Sequence, residues 1–223
     1  TAPWGRVDDS LFLEYILPFS SLNERRDNWR KDFYERFFPI VENAKSAYKA
    51  AAILNNSIFE MVGVIYSTKR PKADQSPYES IDAGLASCTG LSFMLIDACR
   101  SVGIPARFVG TPMWYNNSGN HSWVEIWDNG WHFTGAFEPT GDKLNEGWFA
   151  SLAARAVEGH PEYGIYAATW KKTGVFFPMD WKPGVEKYYA YDVTKSYQKY
   201  LDDNFVPLRP VSYTHLRAHE TRP

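Results

Sequence analysis

A cysteine and a histidine stand at positions where they could perform nucleophilic chemistry. Cys88 follows Ser87 at the start of a helical pattern, where the positive end of a helix favours a thiolate. His121 opens an alternating strand after the polar run 116–120, so a rigid element would hold its ring beside a loop. A thiol becomes a nucleophile when it is ionised, accessible and served by a base. We therefore predict Cys88 as the nucleophile, and His121 is either its base or an ordinary surface or core histidine.

A third residue should orient the imidazole and stabilise its cation. Glu138 lies one predicted hairpin beyond His121, so its carboxylate could reach the ring. Glu125 competes for this role from the same strand as His121. Side chains four positions apart on a strand are separated by about 13 Å, too far for a hydrogen bond. Of these two residues Glu138 is therefore the candidate third member, and its alternative role is that of an ordinary surface carboxylate.

Two further residues near this constellation need a role. Cys99 lies inside the helix that Cys88 opens, about 16 Å further along it. A disulfide requires Cα atoms within about 7 Å, so the two cysteines cannot pair within this helix, and Cys99 is predicted to be structural. The oxyanion of an acyl-transfer reaction needs hydrogen-bond donors. The Cys88 backbone N–H is one candidate, and Gln75 is either a second donor or a solvated loop residue.

Composition and motifs argue against other classes of function. The net charge is −2 with no basic stripe, which does not favour a nucleic-acid partner. No apolar run approaches the roughly 20 residues of a membrane span. Metal-ligand residue types occur at Cys88, His121, His132 and Glu138, but not as the close pairs of metal sites, and no Gly-rich phosphate loop is present. No metal, cofactor or membrane span is predicted.

The sequence before Cys88 is predominantly helical in pattern. Candidate caps at 8–10 precede an apolar stretch that Pro18 ends. Helical periodicity continues over 22–38 and 40–66. Residues 67–87 are rich in Pro, Ser and Asp and are predicted as a loop.

The clearest helix begins at Cys88. Ser87 can cap its start, and Gly103 and Pro105 can end it. The predicted buried stripe of this helix comprises Leu91, Leu95, Ala98 and Val102. Strands follow it, with a turn at 128–130. The predicted strands are 106–110, 121–127, 131–134, 165–170, 174–177 and 186–191. Helices first and mostly antiparallel strands afterwards predict an α+β fold.

Four motifs in order resemble the core of the transglutaminase-like superfamily. They are the helix that starts at Cys88, the segment VGIPAR at 102–107, the segment HSWVE at 121–125, and EPT at 138–140 after Trp131. The resemblance covers residues 85–141, and the segments 12–18 and 119–121 are similar to a bacterial subgroup. It implies a papain-like arrangement, in which the Cys-bearing helix packs on an antiparallel sheet that holds the histidine and the acid. The superfamily usually has Asp where this chain has Glu138.

The resemblance also implies a reaction. It is cysteine-dependent acyl transfer on amide bonds through a thioester, with peptide or amide hydrolysis favoured and transamidation possible. The partner would be a peptide, protein or glycopeptide amide. One alternative is peptide N-glycanase-like deglycosylation, in which tryptophans that otherwise belong to the core would stack sugars (Trp114, Trp123, Trp127, Trp131 and Trp148). Another alternative is a non-catalytic binding module with a retained triad. Members of the subgroup are commonly exported, which favours a periplasmic or cell-surface location.

Residues 1–210 are predicted to form a single domain. It would comprise a helical part at about 9–66, a catalytic core at about 71–142 and a β-rich part at about 160–205. The segment 211–223 lacks apolar periodicity and resembles a translated sequencing-adapter read. It is predicted to be a non-native tail.

Overall fold

Three helices form the amino-terminal part of the protein in a computed structural model, which describes residues 4–5 and 7–200. They are α1 (Asp9–Tyr15), α2 (Arg30–Val41) and α3 (Ala47–Val62). Asp8 caps α1 by accepting a 2.9 Å hydrogen bond from the Leu11 N–H, as predicted. The predicted tail 211–223 lies outside the described residues.

The predicted helix over 22–38 is wrong in its first half, because α2 begins only at Arg30. The carboxylate of Glu24 accepts hydrogen bonds from the backbone N–H groups of Ser21 and Leu22. A side chain that binds nearby backbone groups offers the chain an alternative to helical hydrogen bonding. The buried Glu24 therefore holds a local turn where periodicity alone indicated helix.

The predicted loop over 67–87 contains a helix, α4 (Pro77–Ala83). Ser76 and Glu79 form a capping box at its start, and Pro77 occupies the first turn. Strands β1 (Ile65–Tyr66) and β2 (Leu85–Ala86) flank this helix and pair in parallel. The loop prediction was wrong here, although the capping pattern was present in the sequence.

Helix α5 (Cys88–Ser101) begins where predicted. The Ser87 side chain accepts a 3.2 Å hydrogen bond from the Gly90 N–H, and the chain leaves the helix through Gly103 at φ +85°. Every residue from 89 to 100 is buried, so the predicted apolar stripe was too narrow. The helix is enclosed because α2, α3, α4 and the sheet all pack against it.

The sheet has five antiparallel strands in the order β5-β4-β3-β6-β7. Their bounds are β3 (Ala106–Thr111), β4 (His121–Trp127), β5 (Trp131–Thr134), β6 (Tyr166–Thr169) and β7 (Tyr189–Asp192). The predicted strand at 174–177 is wrong, since in the described chain this segment makes an isolated bridge between Phe176 and Tyr189. Short helices α6 (Ala150–Ala153) and α7 (Thr194–Gln198) complete the order.

Hydrophobic clusters cover both faces of this sheet. Phe108 and Val124 belong to the cluster that the helices share, whereas Val109 and Trp123 belong to a second cluster with Phe149. This division follows the alternation of side chains along a strand. The fold is therefore α+β, with the Cys-bearing helix packed on an antiparallel sheet. In the described residues no helix is both long and apolar enough to cross a membrane.

Candidate active site

Cys88 is the first residue of α5 and is partly exposed. Its position is fixed by Ser87, whose hydroxyl donates a 2.7 Å hydrogen bond to the Ala73 carbonyl. The N–H of the first helical residue has no intrahelical acceptor. The Cys88 N–H is therefore available as an oxyanion donor, and the helix terminus favours negative charge at the thiol.

His121 is the first residue of β4 and is buried, with 6% of its surface exposed. Aromatic rings surround its imidazole. The ring centroids of Phe149, Trp148 and Trp123 lie 4.8, 4.9 and 5.8 Å from that of His121. This wall excludes water from most of the ring. Phe149 was not predicted as part of the site, and Trp148 was predicted there only in the deglycosylation alternative.

Glu138 approaches the imidazole at Nε2. Its Oε2 is 3.5 Å from Nε2 of His121, and a quarter of its side chain is exposed. Val124 pairs with Thr134 in the antiparallel β4–β5 ladder, so the chain after Thr134 runs back toward the beginning of β4. The sheet register thus carries Glu138 to the level of His121.

The pKa of His121 reflects burial and two neighbours, Glu138 and Cys88. Burial opposes protonation of the ring, but the charge of Glu138 and hydrogen bonding to Cys88 outweigh it and raise the pKa to about 10. Nε2 and Oε2 lie in ion-pair range without a well-aligned hydrogen bond. The arrangement therefore favours an imidazolium between a thiol and a carboxylate at neutral pH.

The segment that carries Glu138 has two unusual backbone features. A Cβ at Gly135 would lie 2.9 Å from Cδ of Glu138, so the carboxyl group rests on the bare glycine backbone. Phe137 has φ +64°, a conformation that is rare for a bulky residue. Neither feature is visible in residue types or periodicity, which is why both were missed.

Glu125 and Cys99 have structural roles. The Glu125 carboxylate binds Nε of Arg107 at 2.7 Å and accepts a 2.6 Å hydrogen bond from the Tyr197 hydroxyl. It is thus engaged away from His121, which agrees with the preference for Glu138. Cys99 is fully buried, and burial raises the pKa of its thiol. Both cysteines are free thiols.

Gln75 has neither of the two roles considered for it. Its Nε2 donates hydrogen bonds to the carbonyl groups of Glu79 and Leu85 at 3.2 and 3.0 Å. Both amide hydrogens are therefore occupied, and the residue is 1% exposed instead of solvated. The possible role in the oxyanion hole is corrected accordingly, because a donor bound to two backbone carbonyls cannot serve a substrate.

His132 lies away from Cys88 and His121. Its Nε2 contacts the carbonyl of Asp128 at 3.0 Å, and its Nδ1 contacts the side-chain amide of Asn145 at 2.8 Å. Within the described residues no three His, Cys, Asp or Glu side chains come together as a metal site would require. Of the four ligand types noted in the sequence, His132 is thus engaged apart from Cys88, His121 and Glu138.

A groove of about 1110 Å³ opens beside His121. Its lining includes Asn120, the residue before His121, and Ala73, whose carbonyl accepts a hydrogen bond from Ser87 next to Cys88. Its walls combine apolar side chains such as Met113, Phe176 and Trp181 with acidic ones such as Glu162 and Asp180. Cys88, His121 and Glu138 are not among the residues that line this groove.

The part of the chain that holds Cys88 and His121 matches a known family. Residues 36–136 match the family model of the transglutaminase-like superfamily. These residues, slightly under half of the chain, are similar to that superfamily. The match ends just before Glu138, so it includes the predicted nucleophile and base but not the predicted acid. It supports a cysteine-dependent enzyme in general and does not specify the reaction.

One solved structure, described as a candidate cysteine protease from Cytophaga hutchinsonii, aligns with this chain. The two are 19% identical, with a TM-score of 0.45, and the alignment covers 59% of this chain and 43% of the other. The chain thus spans less than half of that structure, and a similarity of this size says nothing about the reaction. No curated protein matches the sequence.

Proposed function

We propose that the protein catalyses acyl transfer from amide bonds through a thioester, with hydrolysis as the main outcome. The observation that carries this proposal is that the buried His121 lies within ion-pair range of Glu138 and hydrogen-bonds to Cys88, the first residue of α5. This geometry suits an ion pair in which a thiolate is kept ready for attack. The nucleophile, its base and the orienting carboxylate are then in place before substrate binds.

In the proposed reaction, the Cys88 sulfur forms a bond to the amide carbonyl carbon while the backbone N–H of Cys88 stabilises the oxyanion. The carbon–nitrogen bond then breaks, and the His121 imidazolium gives its proton to the leaving amine. Water next attacks the thioester, His121 takes a proton from it, and the Cys88 thiolate leaves. Glu138 keeps the imidazole oriented and stabilises its charged form. A primary amine in place of water would give transamidation.

A peptide segment is the substrate that suits the groove beside His121. The volume of about 1110 Å³ exceeds that of most small-molecule pockets, which span roughly 300–1,000 Å³. Its mixture of aromatic and acidic walls offers contacts for both side chains and backbone N–H groups. The substrate class is accordingly proposed to be a peptide or protein amide.

The deglycosylation alternative has less support. Trp114 and Trp123 are buried in the core, and the Trp131 ring is covered by the guanidinium of Arg107 at 3.8 Å. Trp148 is exposed and lies beside His121, so it remains a surface on which a sugar could stack. Release of glycan from a glycopeptide would favour this alternative over peptide hydrolysis.

The proposal can be tested first by alkylation of the folded protein with iodoacetamide, followed by mass spectrometry of both cysteine peptides. Cys88 should react at about pH 6 roughly ten times faster than glutathione, and His121→Ala should remove this advantage. Cys99 should react only after unfolding, which makes it an internal control. A Cys88 rate equal to that of glutathione and unaffected by His121→Ala would favour the non-catalytic binding module instead.

The second test is hydrolysis of a pool of fluorogenic peptide amides. Cys88→Ala and Cys88→Ser should abolish turnover while the protein stays folded, and Cys99→Ala should retain it. Full turnover by Cys88→Ala would overturn the proposed mechanism.

A further inference from the structure

A single buried side chain holds the turn that leads to Glu138. Asn55 lies in α3 and is 3% exposed. Its Nδ2 donates to Oγ1 of Thr134 at 2.9 Å and to the carbonyl of Gly135 at 2.8 Å. Its Oδ1 accepts a 3.0 Å hydrogen bond from the Phe137 N–H. The amide thus uses both hydrogens and its oxygen on the residues just before Glu138.

These contacts act on a strained part of the backbone. A bulky residue at positive φ, such as Phe137, is strained and keeps that conformation only where its surroundings fix it. Asn55 binds the backbone on either side of Ala136, and the Glu138 N–H closes the turn onto the Gly135 carbonyl at 3.1 Å. Without the amide, Phe137 would be free to return to negative φ, and the direction of Glu138 would change.

We propose that Asn55 is the positioning residue that aims Glu138 at His121. It touches neither Cys88 nor His121 and acts through the turn at 134–137. The inference rests on the proposed function only in that it assigns Glu138 as the partner of His121.

The chemistry of the amide explains why Asn suits this position. The turn presents two acceptors and one donor, and an Asn side chain complements all three. Asn55→Asp keeps the acceptor for the Phe137 N–H but loses the donors, and it buries a second carboxyl group near Glu138. Asn55→Ala leaves the donor and both acceptors of the turn without their partner.

The next residue in α3 provides a matched control. Asn56 donates through Nδ2 to the carbonyl of Ala52 and to that of Gly141, both at 2.7 Å. It therefore also ties α3 to the connection after β5, but beyond Glu138. Asn56→Ala removes an equivalent amide without releasing the turn at 134–137.

The experiment is an NMR titration of the His121 ring in wild type, Asn55→Ala, Asn56→Ala and Glu138→Gln, with a thermal melt of each protein. Asn55→Ala should lower the pKa of His121 by about one pH unit or more, in the direction of Glu138→Gln, because the carboxylate is no longer held against the ring. Asn56→Ala should titrate as wild type does. The double variant Asn55→Ala/Glu138→Gln should have the same His121 pKa as Glu138→Gln alone.

A lower melting temperature with an unchanged His121 titration in Asn55→Ala would overturn the proposal, since Asn55 would then be merely structural. If Asn55→Ala does not fold, Thr134→Val provides the test, because it removes one of the three contacts at nearly constant shape. It should shift the titration in the same direction by a smaller amount, and no shift would overturn the proposal.

An unchanged titration in Glu138→Gln would instead show that Glu138 and His121 do not form a pair. The titration needs no substrate, so a lack of amide hydrolysis would leave its outcome valid.

Discussion

The carboxyl group of Glu138 rests directly on the backbone of Gly135. A Cβ at position 135 would stand 2.9 Å from Cδ and 3.0 Å from Cβ of Glu138, closer than carbon atoms pack. Gly135 is required for space and not for a left-handed conformation, because its φ lies outside the positive region. The orientation of the predicted acid therefore depends on the absence of a side chain three residues earlier.

Gly135→Ala should displace the Glu138 carboxylate while His121 and Cys88 keep their places. A misplacement of about 1 Å in catalytic machinery can cost on the order of 100-fold in rate. We expect kcat/KM for peptide hydrolysis to fall by that order, with the unfolding transition still cooperative. Steady-state kinetics and a thermal melt on the same preparation measure the two effects.

A double-mutant cycle separates this effect from general damage. In a Glu138→Ala background the closest atoms, Oε2 and Cδ, are absent, so Gly135→Ala should have a much smaller effect there. Equal losses in both backgrounds would mean that the methyl group disturbs something other than Glu138.

The same substitution of Glu by Gln should mainly reduce stability at Glu125 and mainly reduce turnover at Glu138. Glu125→Gln removes the charge that pairs with Arg107, whose guanidinium binds that carboxylate at 2.6–2.7 Å in the protein interior. Leaving a buried charge unpaired costs about 3 kcal/mol. We expect this loss in urea denaturation, together with an unchanged mechanism in the protein that remains folded.

Glu138→Gln should instead lower kcat, and it should cost less free energy of unfolding than Glu125→Gln, because Glu138 is partly exposed and poorly hydrogen-bonded. Loss of turnover in a stable Glu125→Gln protein would contradict the assignment of Glu138 as the partner of His121.

The elements that hold Cys88 and His121 could be read from the sequence because their determinants are local. Ser87 caps α5 by binding a group three residues away, and the turn at 128–130 joins two adjacent strands. The determinants of helix α4 are equally local, because Ser76 and Glu79 stand at capping-box spacing. The Pro and Ser content of 67–87 nevertheless predicts a loop, so the capping box is the more informative signal in this segment.

The residues that hold Glu138 in place could not be predicted from the sequence, because the residues they contact are remote in the chain. Asn55 and Phe137 are 82 positions apart and meet only when α3 packs beside the end of β5. The same holds for Gly135, whose need for space depends on where Glu138 folds back. Gln75 was misread for a related reason, since its amide is consumed by the backbone around α4, an element that had not been predicted.

The charge on His121 should make stability depend on pH. Its pKa rises from an ordinary value near 6.5 to about 10 in the folded protein, where burial is outweighed by Glu138 and Cys88. A group whose pKa is raised by folding stabilises fully below its unfolded pKa, and the contribution is lost as pH rises through the folded value. His121→Gln should therefore be less stable than wild type at about pH 6, and the difference in free energy of unfolding should shrink toward about pH 10. Urea denaturation at a series of pH values measures this difference, in which groups that titrate alike in both proteins cancel.

Glu138→Gln should weaken the pH dependence of stability that His121 causes, because it removes the largest favourable influence on the imidazolium. Parallel stability curves for wild type and His121→Gln over this range would mean that His121 is neutral in the folded protein, and the ion pair proposed for catalysis would then have to form only when substrate binds.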